Sequence, residues 1–416
     1  MKKAIVFAGG GSKGAYQVGA WKALNELGET FQIATGTSIG SINAGLYVQH
    51  DFDAAYEMWT HLKVESIMKN GINFDKSFES IFSQRENLVP FIKKYISAKG
   101  ADVRPFHNAL KQYFDADRFF SSDIDYALVT CRYPSFDPVV ITKKDVQDRE
   151  NMWQWMAASG ACFPVFPVMR IGEEEYVDGG YYDNIPVAPA FRLGAKSAVV
   201  IDLKQENNHE GYLHHPRVTY IKPSRDLGTF LNFEKEAIRF SISLGYNDTM
   251  KVYGKYLGRV YTFIPKPEDE ELLSRVAGLF LDLLTEMEAR FDFSYAVKIQ
   301  RINKFDGCTT LLADAIKKER PTETQLFLEA TEFFLRLLEY DPDVILRPGD
   351  LLYSLKAQVD GMYPLLEYDY DTAFANVKKF VAAHSGKKNE DAKKLDDNRY
   401  LLIAAALIRA LQRAEI

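Results

Sequence analysis

Cysteine is nearly absent. Cys131, Cys162 and Cys308 stand far apart in 416 residues, an odd number with no CxxC pair. That excludes a disulfide framework and fits a reducing compartment, so a cytoplasmic location is expected. A basic excess is absent too. Lys plus Arg number 51 against 57 Asp plus Glu, a net charge of −6, which argues against a general nucleic-acid binder. Residues 1–265 carry 30 basic and 30 acidic side chains, and residues 266–416 carry 21 and 27. Neither part has the cations to hold a chain on anionic lipid by charge alone. No apolar run reaches the ~18 residues of a transmembrane helix. Leu401 to Leu411 comes nearest, and Arg409 interrupts it. The start, Met1-Lys2-Lys3 followed by Ala4 to Ala8, is too short for a signal peptide, because Gly9 to Gly11 ends it at once. There is no repeat of fixed period and no low-complexity tract.

Apolar and aromatic residues, 47% and 13% of the chain, are sufficient for a sizeable core. The length allows two or three domains. Lys3 to Ala8 reads as a central strand buried on both faces. Ala15 to Leu27 follows as a helix with Ala20, Leu24 and Leu27 on one stripe, then Phe31 to Thr35 as a strand and Ile39 to Gln49 as a helix. Short connections in a β-α-β-α opening imply a parallel α/β sheet. Asp51 to Phe120 reads as mostly helical and rich in phenylalanine (Phe74, Phe78, Phe82, Phe91, Phe106, Phe114), either ordinary core helices or a cap over an apolar site. Further strands are expected at Tyr126–Cys131, Val139–Thr142, Ser197–Leu203, Val218–Ile221 and Val260–Ile264. A hairpin of Val168–Ile171 and Glu175–Val177 leads into Asp178, and Phe233–Leu257 reads as a helix. Pro265-Lys266-Pro267 breaks the pattern, and beyond it the period is helical. The expected domains are therefore 1–265 and 266–416.

Three glycine-rich motifs carry chemistry. Gly36-Thr37-Ser38-Ile39-Gly40 lies between a strand and a helix, the context of a nucleophile elbow. Gly9-Gly10-Gly11-Ser12-Lys13-Gly14 follows the first strand. It matches G-x-G-x-x-G, but the second strand ends in Gly36-Thr37-Ser38 without the acid that would bind a ribose, and no Gly-Lys-Ser/Thr makes a Walker loop. The alternative to a nucleotide site is an oxyanion hole built from the amides of Gly10 and Gly11. Asp178-Gly179-Gly180 ends a strand, and on its own it is as consistent with a turn aspartate. No histidine lies near any of the three motifs, which points to a serine hydrolase whose base is the aspartate.

In this order and context the three motifs resemble the patatin-like phospholipase family. So do Ala158-Ser159-Gly160-Ala161-Cys162-Phe163-Pro164 and the stretch Ile221 to Asp248. The resemblance covers roughly residues 1–265. It implies a three-layer α/β/α fold with a mainly parallel central sheet, followed here by an all-helical C-terminal region. It implies Ser38 as nucleophile between Gly36 and Gly40, Asp178 as base before Gly179 and Gly180, and Gly9, Gly10, Gly11, Ser12, Lys13 and Gly14 as the anion hole. It further implies hydrolysis of a lipid or acyl-ester substrate, of phospholipase A or lysophospholipase type, without metal or cofactor. Peripheral membrane contact is compatible with such a substrate. Lys13 stands where many members carry arginine, and Ala8 where some have aspartate or serine.

Asp178 is a weak base at the ordinary carboxylate pKa of ~3.9. Burial beside Ser38 is expected to raise it. One rival is a Ser-Asp-His triad through His209, His214 or His215, which lie in the polar stretch Gln205 to Arg217. Another is an interaction protein whose working surface is the acidic C-terminal part. The apolar faces there, Leu326, Leu328, Phe333, Phe334, Leu337 and Leu338 on one helix and Leu401, Leu402, Ala405, Ile408 and Leu411 on another, read first as bundle core. The sequence does not fix an oligomeric state.

Overall fold

In the computed structural model the apolar run after Lys2 is strand β1 (Lys3–Phe7), the heart of an eight-stranded sheet. The structure describes residues 1–63, 102–204, 210–296, 307–316, 320–360, 370–386 and 389–416. Phe74, Phe78, Phe82, Phe91 and His209 lie outside them. The chain divides into two compact units, Met1–Val252 and Tyr253–Ile416.

In the first unit β1 pairs in parallel with β2 (Ile33–Thr37) on one side and β7 (Ser197–Ile201) on the other. β3 (Asp125–Tyr133) extends the parallel sheet beyond β2, and β8 (Val218–Ile221) extends it beyond β7. Ala4 to Phe7 and Ala198 to Ile201 are at most 1% exposed, as unbroken apolar runs covered on both faces should be. The antiparallel members are β4 (Pro138–Thr142), β5 (Met169–Ile171) and β6 (Glu174–Asp178). The sheet is thus mainly parallel, as the resemblance implies.

One register sets the site. Thr130 of β3 pairs with Val139 of β4 and with Asp178 of β6, so these two strands lie on opposite edges of β3. Val129 pairs with Val140 of β4 and with Thr37 of β2. β2 and β6 therefore share one edge of β3 and run toward each other, ending at Val129 and Thr130.

Helix α1 (Ala15–Glu26) is buried more widely than its expected stripe, since Ala15 to Trp21 are all covered. The cause is a close crossing with the helix Lys235–Val252. A Cβ on Gly19 would lie 1.8 Å from the Ile242 carbonyl oxygen, and one on Gly245 1.9 Å from that of Tyr16. Two glycines let the backbones touch. Helices α2 (Ile39–Val48) and α3 (Phe52–His61) follow.

The second unit is a helical bundle. Its core includes Phe280, Phe327, Phe334 and Leu407, all fully buried. Asn398–Arg413 is covered on nearly every side, and its expected apolar face, Leu401, Leu402, Ala405, Ile408 and Leu411, is at most 2% exposed. The strand expected at Val260–Ile264 shrinks to Thr262–Phe263 and pairs with Ile345–Leu346 inside this unit, not with the large sheet. A buried carboxylate holds its approach: Glu332 accepts the amides of Arg259 and Val260, while Glu329 binds the Arg259 guanidinium at 2.7 Å.

Candidate active site

Ser38 caps α2 with φ 54° and ψ −129°, a left-handed conformation that L-residues avoid. Such strain persists only where the surroundings over-determine it. Here the glycines do so. A Cβ on Gly36 would lie 2.1 Å from the Gly40 carbonyl oxygen, and one on Gly40 2.2 Å from that of Phe7. No other residue allows β1, β2 and α2 to approach so closely. The Ser38 carbonyl accepts both the Ser41 amide at 2.9 Å and the Ser41 hydroxyl at 2.7 Å. Its amide donates to Ser159 Oγ at 2.9 Å, and that hydroxyl donates to the Val129 carbonyl at 2.7 Å.

The Ser38 hydroxyl donates to Asp178 Oδ2 at 2.7 Å. Asp178 is 7% exposed, and its Oδ1 accepts the Gly180 amide at 2.7 Å. Burial pushes this carboxyl up to about 6, against the opposing pull of the Gly180 amide and the Ser38 hydroxyl. The Asp178 amide is fixed on the Ala161 carbonyl at 2.9 Å. A Cβ on Gly179 would lie 2.1 Å from the Val129 carbonyl oxygen, which keeps β6 pressed to β3 at this point. Burial first, then the nearby Asp178, raises the Cys162 thiol and pushes Cys131 up to about 11. Both stay neutral and are therefore poor nucleophiles.

The glycine loop lies alongside. A Cβ on Gly9 would sit 3.1 Å from Ser38 Cβ. Of the six loop residues expected to form the anion hole, Gly9, Ser12 and Lys13 have their amides engaged, with the carbonyls of Asn184, Phe230 and Gly10. Gly14 is a packing position, since a Cβ there would meet the Trp59 ring at 2.7 Å. The amides of Gly10 and Gly11 donate to nothing among the described residues, and both residues are partly exposed. The set of free donors therefore narrows to these two, with the N-terminus of α2 adding positive partial charge.

Sequence reasoning missed the groups that hold the pieces. Asn184 gives its carbonyl to the Gly9 amide and its side-chain amide to the Gly9 carbonyl, each at 3.1 Å, tying the aspartate segment to the glycine loop. A buried chain runs from Trp59 Nε1 to Asn43 Oδ1, from Asn43 Nδ2 to Gln17 Oε1, and from Gln17 Nε2 to the Ala8 carbonyl. Every link is a satisfied polar group, which fixes the end of β1 against α2. Ser159 lies inside Ala158–Pro164, and that segment is the one sequence signal for it.

The Ser38–Asp178 contact is direct, with no imidazole between them. His214 is exposed, and His215 accepts the Arg217 amide and lies beside Phe191. Among the described residues no three His, Cys, Asp or Glu side chains come together to hold a metal ion. No helix among them is long and apolar enough to cross a membrane.

Residues 5–191 match the family model described as patatin-like phospholipase. The lysophospholipase NTE1 of Debaryomyces hansenii is 26% identical over 199 residues, 48% of this chain and 12% of that protein. Patatin-like phospholipase domain-containing protein 6 of Homo sapiens is 22% identical over 206 residues, 49% of this chain and 13% of that protein. The matched segment is thus a small part of these relatives. Among solved structures, VipD from Legionella pneumophila aligns over 99% of this chain and 90% of its own, with 14% identity and a TM-score of 0.40. The segment that carries Ser38, Asp178 and the glycine loop belongs to the patatin-like phospholipase family.

Proposed function

We infer that the chain is a serine acyl hydrolase that cleaves carboxylic esters of lipids, of phospholipase A or lysophospholipase type, through a Ser38–Asp178 dyad. One observation carries this: a strained, half-buried serine hydroxyl donates at 2.7 Å to a buried carboxylate whose pKa is pushed up to about 6. A base poised near the working pH is ionised and still takes a proton readily. The family match and the lysophospholipase relatives support the lipid ester as substrate class.

Asp178 takes the Ser38 proton as the oxygen attacks the ester carbonyl. The carbonyl oxygen gains negative charge and is held by the Gly10 and Gly11 amides, each such donor being worth ~3–4 kcal/mol in the transition state. Collapse expels the alcohol, which leaves with the proton from Asp178, and the acyl group stays on Ser38. Water then attacks, giving its proton to Asp178. The fatty acid departs as that proton returns to Ser38.

The test is hydrolysis of a p-nitrophenyl ester and of a lysophospholipid by the parent chain, Ser38→Ala and Asp178→Asn. Both variants should lose at least ~10³-fold in kcat, the scale of an essential member of a catalytic pair. Equal rates in all three would end the proposal.

A further inference from the structure

The sheet edge that holds the dyad does not end at the dyad. β3 continues past the meeting point of β2 and β6 through Thr130 to Tyr133, roughly 13 Å of strand. Its turn into β4 therefore stands beyond Val129 and Thr130, the residues opposite Thr37 and Asp178. An aromatic cluster occupies that tip. Tyr133 lies 5.3 Å from Phe163 and 6.2 Å from Phe136, and Phe136 lies 5.3 Å from Tyr181. Tyr181 and Tyr182 directly follow the Asp178-Gly179-Gly180 motif, and the Tyr181 hydroxyl is anchored on the Phe163 carbonyl.

Phe136 is 42% exposed and Tyr182 66% exposed. Among the described residues of the first unit only Tyr56 is another exposed aromatic, whereas Phe136 packs on Tyr181 and Tyr182 is the fourth residue after Asp178. Scattered exposed apolar groups need no explanation, but a contiguous aromatic cluster beside a reactive centre marks an interaction surface. Phe136 also has φ 61°, a position where glycine or asparagine is at ease and a bulky ring is not. Its ring is held outward despite that cost.

We propose that Phe136 and Tyr182 are the rim by which this domain sits on a lipid surface, and that the surface is zwitterionic. This rests on the lipid-ester reading of the site. Tyrosine and phenylalanine suit the boundary between headgroups and acyl chains, with an apolar body and, in tyrosine, a polar tip. The charges around the rim set the lipid class. Arg132 and Arg170 are outnumbered by the exposed carboxylates Asp137, Glu173, Glu174 and Glu175, and Arg132 is already paired with Glu174 at 2.6 Å. Glu175 lies opposite Tyr133 in the ladder. Such a rim repels anionic headgroups and gains nothing from low salt. Docking there places the ester source next to Asp178 without a helix entering the membrane.

The test uses the full chain carrying Ser38→Ala, so that no lipid is consumed, with and without Phe136→Asn plus Tyr182→Ser. Asparagine tolerates the left-handed backbone at 136, and a melting curve verifies folding. Sedimentation with phosphatidylcholine vesicles should show binding that salt leaves unchanged and that falls about tenfold in the double variant. Added phosphatidylserine should weaken it. In the Ser38 parent, the same two substitutions should leave turnover of a monomeric p-nitrophenyl ester unchanged and lower turnover of vesicle lipid. Equal vesicle binding with and without the rim substitutions overturns the proposal, as does binding that requires phosphatidylserine, or an equal loss on monomeric and vesicle substrates. An inert Ser38 parent with rim-dependent vesicle binding would instead fault the hydrolase reading and leave the surface standing.

Discussion

Thr37 and Asp178 end two strands that approach each other along one edge of β3, opposite Val129 and Thr130. The residue after Thr37 is Ser38. A hydroxyl and a carboxylate separated by 140 positions therefore meet at 2.7 Å because two ladders abut, without any long loop being ordered for the purpose. The Val129–Thr130 segment supports both. Val129 carbonyl oxygen takes the Ser159 hydroxyl that holds the Ser38 amide, and Thr130 Oγ1 donates to the Val177 carbonyl beside Asp178 at 2.7 Å. Geometry held by strand ends is stiffer than geometry held by loops.

With Asp178 as the proposed base, a carboxyl pushed up to about 6 sets the pH profile. Asp178 must be ionised to take the Ser38 proton, so kcat/KM should rise through a midpoint near pH 6 and level off above pH 7. Stopped-rate assays of a soluble ester across that range check it. A midpoint at the ordinary carboxylate value of ~4 would mean that burial does not perturb the group.

The same shift predicts a stability effect of opposite sense to activity. Folded Asp178 binds its proton more tightly than the unfolded chain, whose carboxyl stays near 3.8. Between about pH 4 and pH 6 the folded state holds more protons, so stability falls as pH rises through that window. Above it the full cost of the buried charge is present, up to about 3 kcal/mol at 1.36 kcal/mol per pKa unit. Asp178→Asn removes that cost and can keep both hydrogen bonds. The variant should melt higher than the parent at pH 7.5 and equal to it below pH 4. Thermal melts at both pH values decide this.

Each half of the Ser38–Asp178 contact is visible in the sequence as a glycine-flanked residue at a strand end, because local backbone needs select glycine at Gly36, Gly40 and Gly179. The apolar runs of β1 and β7 are equally plain. What the sequence hides is non-local. Nothing in Tyr126–Cys131 says that one edge will serve two strands. Ser159, Asn184 and the Trp59–Asn43–Gln17 chain are polar residues at buried or half-buried positions, where they leave no periodic trace. Thr262–Phe263 looks like any short strand, and its pairing with Ile345–Leu346 depends on a partner 83 residues away in the ladder. For the extent of the anion hole, residue type was too coarse a guide, because an engaged amide and a free one look alike in sequence.

Ser159 is fully buried, and its hydroxyl accepts the Ser38 amide and donates to the Val129 carbonyl. Ser159→Ala leaves that amide and the Val129 carbonyl without their partner, a loss of about 1–3 kcal/mol in stability. The strained turn should then relax, lowering kcat by about tenfold or more while KM changes little. Because Asp178 is untouched, the inflection near pH 6 should remain. Loss of the inflection along with the rate would mean that Ser159 acts on the base and not on the nucleophile.

The imidazole rival has its own test. Replacing His209, His214 and His215 together with asparagine should leave ester turnover within about twofold of the parent, since His214 is exposed and His215 is engaged by the Arg217 amide. A fall comparable to that of Ser38→Ala would instead establish a triad.

Gly11 offers the sharpest test of the oxyanion role, because it has an internal control. Gly11 and Gly28 both have positive φ, 59° and 74°. An alanine at either pays the left-handed conformational cost of roughly 1–2 kcal/mol. They differ in surroundings. The Cβ at Gly28 meets nothing within 4 Å, whereas at Gly11 it would lie 2.1 Å from the Phe230 carbonyl oxygen, so the loop must move. Moving it re-aims the Gly10 and Gly11 amides. Gly11→Ala should therefore lower kcat about 10²–10³-fold, the loss typical of one misplaced oxyanion donor. Gly28→Ala should lower the melting temperature and leave kcat intact. If the two variants lose activity alike, the Gly11 effect is conformational instability, and the anion must be held elsewhere.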